Sequence, residues 1–297
     1  MVILNEKQYA QKCIADNDIG DKPYRTLSIL AKYYYFSCGY KKKQIRDLLT
    51  DFLTRNYIEY TSSKRFWEEN IDKIVSKVNK QTLYEISGVK ITKSEMEKIQ
   101  SLNNRLLEKL LFTMLCVAKY YHLKNEKNNG WVNLSDKDVI ELANANYLLK
   151  RATSKFNLCI NQLFVAGLLD LPLRCDNLNY RVTFISDDSD DEEELFVSDF
   201  RNLGYEYLLY CGENYIRCAK CGVLTEGTHN KRRKYCSKCA VYHSADYKWI
   251  ICEDCGTEFQ VKSKNNKSKR CADCQHIKQL EYQRNSMSKR RNMKLSN

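Results

Sequence analysis

The sequence predicts a mainly α-helical chain with small β elements, closed by a repeated cysteine module. Three observations predict it. Apolar residues recur at helical spacing through most of the first 185 positions, and the 297 residues include only 2 Pro and 10 Gly, fewer than the usual ~5% and ~7%. Eight of the 14 cysteines stand in four Cys-x-x-Cys pairs after residue 217. The formal charge of +12 is also uneven: residues 1–211 carry 30 basic and 29 acidic side chains, and residues 212–297 carry 19 and 8. At 43% hydrophobic the chain can bury real cores.

Taken in order, residues 25–38 place Leu27, Leu30, Ala31, Tyr34 and Tyr35 on one helical face that stops near Gly39. Residues 42–55 do the same with Ile45, Leu48, Leu49, Phe52 and Leu53, and residues 64–79 with Phe66, Trp67, Ile71, Ile74, Val75 and Val78. Residues 1–90 thus read as a helical domain. Its Tyr33, Tyr34 and Tyr35 are read as a partly buried helix face, with base stacking the weaker alternative.

A long helix is expected from about residue 92 to residue 122, on a stripe from Met96 to Leu115 wide enough to be buried on several sides. Within residues 91–186, Ser135 and Asp138 have the spacing of a capping box opening a short helix. A polar turn near Asn144 follows, then a helix over residues 153–166 burying Phe156, Ile160, Leu163 and Phe164 and ending at Gly167. Two strands are expected beyond it, around a turn at Asp176 and Asn177. This order, with the Leu-x-x-x-Gly-Leu-Leu stretch of residues 163–169, resembles a winged helix-turn-helix module. The resemblance implies that Lys150, Arg151, Lys155 and Asn157 lie on or beside a helix able to enter a major groove. Winged helices also serve as protein-binding or structural domains, and both uses stay open.

Residues 187–194 hold seven acids in eight positions, read as a solvated linker. Mimicry of a phosphate backbone, or competition for the basic C-terminal region, are the alternatives. Residues 187–211 then form an acidic linker and a short ordered connection.

The cysteines Cys218, Cys221, Cys236, Cys239, Cys252, Cys255, Cys271 and Cys274 repeat with offsets of 34 and 35. Thiolate pairs at this spacing bind tetrahedral zinc, and four thiolates leave no open position for catalysis. Two structural Zn²⁺ ions are therefore expected, in fingers at residues 212–245 and 246–297. Pairing within each repeat is the simplest; a crossed pairing has compatible spacing. Each repeat resembles a zinc ribbon or treble clef, and a helix expected over residues 275–285 favours treble clef for the second. Some treble clefs are nucleases of the His-Asn-His type, but the paired histidine or Asp-His that chemistry needs is absent around His229 and Asn230, and His243 and His276 read as ordinary histidines.

Basic residues cluster in both loops. Lys231, Arg232, Arg233 and Lys234 lie in the first, and Lys262, Lys264, Lys267, Lys269 and Arg270 in the second. Lys289, Arg290, Arg291 and Lys294 form a tail expected to fray. Loops fixed by zinc could present these charges to phosphates.

The run of residues 200–205 (Phe-Arg-Asn-Leu-Gly-Tyr), Tyr215 and Ile216 leading into Cys218-x-x-Cys221-Gly222, and the basic tail resemble uncharacterised proteins of Gram-positive phages and other mobile elements. The resemblance implies a mobile-element origin and no settled activity. The expectation is a cytoplasmic, non-enzymatic DNA-binding protein, regulatory or replication-associated. The alternative is a factor that binds or inhibits a host protein complex. No nucleophile–base set or phosphate loop is visible. The longest apolar run, nine residues, falls short of the ~18 of a membrane span, and the N-terminal residues lack a signal peptide's pattern.

Overall fold

The computed structural model describes residues 2–151, 154–172, 179–186, 192–228, 233–241, 247–262 and 268–295. Within these, only the backbone is described for residues 58, 62, 149–151, 154, 241, 247, 262 and 287–295. The chain divides into two compact units, Met1–Glu213 and Asn214–Asn297. It is mainly helical, with small antiparallel strand pairs.

Asn5 opens the first unit by accepting the Gln8 N–H at 2.8 Å, which caps α1 (Glu6–Asp16). Pro23 starts α2 (Pro23–Phe36), where its missing N–H costs nothing. Gly39, with φ +71°, turns the chain toward α3 (Lys42–Asn56), and α4 (Lys64–Lys77) follows. Leu27, Leu30, Ile45, Leu49, Leu53, Ile71 and Val78 bury together where these helices meet. The three consecutive tyrosines pack partly buried against this cluster. Phe66, expected inside, is 59% exposed. Adjacent helical residues point about 100° apart, and Trp67, edge-on to Tyr57, takes the inward place.

β1 (Val89–Thr92) leads into α5 (Lys93–Gln100), capped by Thr92 and Glu95 in reciprocal hydrogen bonds. The single long helix expected from residue 92 is broken here. Asn103 adopts φ +47°, and Asn104 caps a new helix, α6 (Arg105–Lys124), by accepting the Leu106 and Leu107 N–H groups. Leu102 and Leu106 keep the apolar spacing across the break, so only the asparagine pair marks it. α6 is buried continuously from Leu107 to Ala118 and forms the spine of this unit.

β2 (Trp131–Val132) and α7 (Asp136–Leu142) come next, with Ser135 capping α7 through the Asp138 N–H as expected. α8 (Ser154–Val165) ends before Gly167, whose φ is +72°. β3 (Leu169–Asp170) and β4 (Tyr180–Val182) complete a three-stranded sheet of order β2-β4-β3. The strand β2 was not foreseen. Phe164, also expected inside, is 43% exposed. The expected turn at Asp176 and Asn177 lies outside the described residues.

Residues 192–194 are not part of a solvated linker, and the ordered connection expected after them contains a helix. β5 (Glu193–Val197) pairs antiparallel with β1, Val89 opposite Val197, and α9 (Leu203–Tyr210) packs on α6. Alternation around Leu195 and Val197 outweighs the preceding acids, of which residues 187–191 lie outside the described set. The divisions drawn from sequence near residues 90 and 186 both fall inside this unit.

Three buried carboxylates tie its elements together. Glu6 accepts from Lys32 and from the Tyr84 N–H. Glu95 accepts from Lys119 at 2.7 Å and from the Ser186 N–H at 2.8 Å. Glu108 accepts from Arg105 at 2.8 Å and from the Tyr207 hydroxyl at 3.0 Å. Among the described residues no helix is long and apolar enough to cross a membrane.

Among its described residues the second unit contains two hairpins and two helices: β6 (Tyr215–Arg217), β7 (Leu224–Glu226) and α10 (Ser237–Val241), then β8 (Tyr247–Ile251), β9 (Glu258–Lys262) and α11 (Ala272–Leu295). α11 extends through the tail expected to fray.

Candidate metal centres and basic surface

Each repeat builds its first cysteine pair into a hairpin turn. Ile216 pairs with Thr225 in the first hairpin and Ile250 with Phe259 in the second. Between the strands, the Gly222 N–H donates to the Cys218 carbonyl at 2.8 Å, and the Gly256 N–H to the Cys252 carbonyl at 3.0 Å. Both glycines have φ +70°, the left-handed conformation such a turn requires. The second pair stands at a helix start. Cys236 precedes α10 and accepts the Ala240 N–H through its carbonyl, and Cys271 precedes α11 and accepts that of Gln275. A hydrogen bond from the knuckle to the loop before the helix joins the halves in both repeats: Ala219 N–H to Lys234 carbonyl at 2.9 Å, Glu253 N–H to Lys269 carbonyl at 3.0 Å.

This framework gathers Cys218, Cys221, Cys236 and Cys239 in one cluster, and Cys252, Cys255, Cys271 and Cys274 in another. The four sulfurs of each lie within 4.8 Å of one another. The ligand sets therefore form within each repeat, and the crossed pairing does not occur. Cys221 and Cys236 sulfurs are 3.8 Å apart, and those of Cys255 and Cys271 are 3.7 Å apart. A disulfide needs about 2.05 Å, whereas a tetrahedral ion with bonds of about 2.3 Å separates its sulfurs by about 3.8 Å.

Local electrostatics fit a cation as well. Backbone N–H groups of Cys271, Cys255 and Asp254 pull the Cys252 thiol down to about 6. At Cys218 burial works the other way, but the N–H groups of Cys236, Cys221 and Lys220 outweigh it and the thiol falls to about 6. The same crowding penalises the last thiol to ionise. Burial and the neighbouring sulfurs push Cys239 up to about 12, and hydrogen bonds with Cys255 and Cys271 push Cys274 up. Four thiolates at this separation require a positive ion among them. With all four positions supplied by protein, a bound ion would be closed to substrate.

The sequence-predicted basic residues fare unequally. Lys231, Arg232, Lys264 and Lys267 lie outside the described residues. Lys289, Arg290 and Arg291 lie in α11, Lys150 and Arg151 in the 3-10 turn Asn146–Arg151, each with backbone alone described. Lys155 and Lys234 are exposed. The other three are drawn into structure. The Arg233 guanidinium donates to the carbonyls of Tyr235 and Glu226, both at 3.1 Å. Lys269 pairs with Glu253 at 3.1 Å, and Arg270 with Asp254 at 2.6 Å. A basic run read from sequence counts these as available charges. The acids that neutralise them sit 16 residues upstream, inside the metal knuckle. Sequence reading also passed over Arg217, Lys220 and Lys238, all exposed and each adjacent in sequence to a cluster cysteine. Of the histidines weighed for nuclease chemistry, His229 and His243 are outside the described residues, and His276 is exposed on α11.

No protein family, curated protein or solved structure matches the chain.

Proposed function

We propose that the chain is a DNA-binding protein whose C-terminal unit is held by two structural Zn²⁺ ions, serving a regulatory or replication-associated role in a phage or other mobile element. The observation that carries this reading is the coincidence of charge and metal. The unit built around the two four-sulfur clusters holds nearly all of the chain's excess positive charge. Zinc is the favoured ion because four thiolates in tetrahedral spacing suit it and need no redox chemistry. The mobile-element origin rests on the sequence resemblance alone.

The β2-α7-α8-β3-β4 order with a three-stranded sheet supports a winged helix in the first unit. Its α8 is a weak candidate for groove contact. Lys155 is the only cation in α8, whose other exposed side chains are Asn157, Leu158, Asn161, Gln162, Phe164 and Val165. The main DNA contact is therefore assigned to the C-terminal unit.

Fluorescence anisotropy with a labelled duplex tests the reading. Metal-loaded protein should bind with steep salt dependence, and chelation should abolish binding. Absence of binding at 50 mM salt would overturn it. A protein-partner role is favoured by one observation, the exposure of Trp249 (52%) and Ile251 (64%) on one face of β8. Retained capture of a host protein by a chain that binds no DNA would establish that alternative.

A further inference from the structure

The two fingers share one scaffold but not one surface. Aligning their knuckles at an offset of 34 places Arg217 opposite Ile251, Ala219 opposite Glu253 and Lys220 opposite Asp254. Aligning their second cysteine pairs at an offset of 35 places Lys234 opposite Lys269 and Lys238 opposite Asp273. Three basic positions of the first finger thus become isoleucine or aspartate in the second. The fourth stays lysine but pairs with the knuckle's Glu253. Residues 212–245 hold seven basic side chains and two acids, while residues 246–274 hold six and five.

Geometry concentrates the first set. Arg217, Lys220, Lys234 and Lys238 are exposed, and each lies within two residues of a cluster cysteine. The Ala219 N–H to Lys234 carbonyl bond draws the loop carrying Lys234 onto the knuckle that carries Lys220. A collar of cations could merely balance a zinc–tetrathiolate centre, which carries about two negative charges net. The second finger argues against that account. It places Glu253, Asp254 and Asp273 around an equivalent four-sulfur cluster, so the scaffold does not require a basic collar.

We infer that, of the two equivalent finger faces, the first is the phosphate-contacting one, with Arg217, Lys220, Lys234 and Lys238 reading the DNA backbone, and that the second is self-neutralised and does not contact it. This rests on the DNA-binding function proposed above and deepens it. The contact is sequence-independent, because its cations come from a strand end, a knuckle, a loop and the short helix α10 rather than from one helix presented to base edges. It also depends on the metal, since the ligand cysteines are what hold the four cations together.

The test compares two charge-matched variants of the full, metal-loaded chain by anisotropy against salt. One carries Arg217→Gln, Lys220→Gln, Lys234→Gln and Lys238→Gln. The other carries Lys248→Gln, Lys262→Gln, Lys269→Gln and Arg270→Gln in the second finger. Metal content at two ions per chain confirms folding of each. The first-finger variant should lose about 100-fold or more in affinity at 0.1 M salt, and its logarithmic salt slope should fall by about 3 to 4. The second-finger variant should stay within about threefold of the parent. A further pair, Lys220→Asp with Lys238→Asp, installs the residues that the second finger already tolerates, and should abolish binding while keeping both metals. Equal losses in the two charge-matched variants, or a larger loss in the second, would overturn the inference while the DNA-binding function stands. Failure of the parent chain to bind DNA would instead overturn that function, and this inference with it.

Discussion

The two units of this chain solve the folding problem by different means. The first buries a continuous apolar interior, with Leu27, Leu49, Leu53, Ile71, Leu110, Leu111 and Met114 all fully inaccessible. In the second, among the described residues, Leu224 and Val261 are the buried apolar side chains other than cysteine. One aliphatic residue per finger falls far short of the entropy cost of ordering some 30 residues, about 1–2 kcal/mol each. What the second unit lacks in core it makes up in sulfur. The lesson is that two four-sulfur clusters suited to a metal ion stand where an interior would otherwise be, and that the surface around the cysteines is left open to carry charge.

The largest effect that could break this contrast is metal removal. Structural zinc sites contribute on the order of 10–16 kcal/mol of apparent binding free energy at neutral pH, so a strong chelator should unfold the second unit completely. The first unit should keep its helices. Hydrogen exchange by mass spectrometry reads this directly: protection lost over residues 214–295 and unchanged over residues 2–186. Persistence of protected amides in β6–β9 after metal is stripped would show that the fingers hold themselves together. Cys218→Ser and Cys271→Ser should each remove one of the two ions, because each cluster draws its ligands from a single repeat.

The reciprocal experiment trims the apolar interior. Leu49→Ala leaves a cavity in a fully buried site and should cost about 2–5 kcal/mol in the unfolding of the first unit. Glu95→Ala should cost a similar amount, about 3–5 kcal/mol. It leaves the nearly buried Lys119 ammonium without its carboxylate, and the N–H groups of Thr92 and Ser186 without their acceptor. Neither substitution should change metal content. A parallel loss of metal in either variant would mean that the units are energetically coupled.

These contrasts bear on what could be read from sequence. Helices α2, α3, α4, α7 and α8 were legible from their apolar periodicity, and α7 also from its cap, Ser135 before Val139 and Ile140. The eight ligands were legible because Cys-x-x-Cys spacing admits few other uses. The break at Asn103 was hidden by an apolar stripe that continues through it. The pairing of β5 with β1 was hidden because it spans about 100 residues, and no local pattern encodes a partner so distant. Ion pairing of Lys269 and Arg270 was hidden for the same reason on a smaller scale. The asymmetry of the fingers, by contrast, was present in the sequence at offsets of 34 and 35. It acquires meaning only once the fold shows that those positions surround equivalent centres.

The smallest effect sharpens the comparison most finely. Ser135 caps α7 by accepting the Asp138 N–H at 3.2 Å, and its hydroxyl donates to the Asp138 carboxylate at 2.7 Å. Ser135→Ala should cost about 1 kcal/mol, the usual worth of such a cap. In the fingers the corresponding positions are Cys236 and Cys271, whose carbonyls open α10 and α11 while their sulfurs belong to the clusters. There the cap and the metal site are one residue, so the helix start cannot be weakened without disturbing the ligand set. A denaturant titration should therefore show Ser135→Ala shifting the midpoint of the first unit with its cooperativity unchanged. Cys271→Ser should abolish the second finger's transition rather than shift it. A graded shift in both cases would mean that the two units are built on the same principle after all.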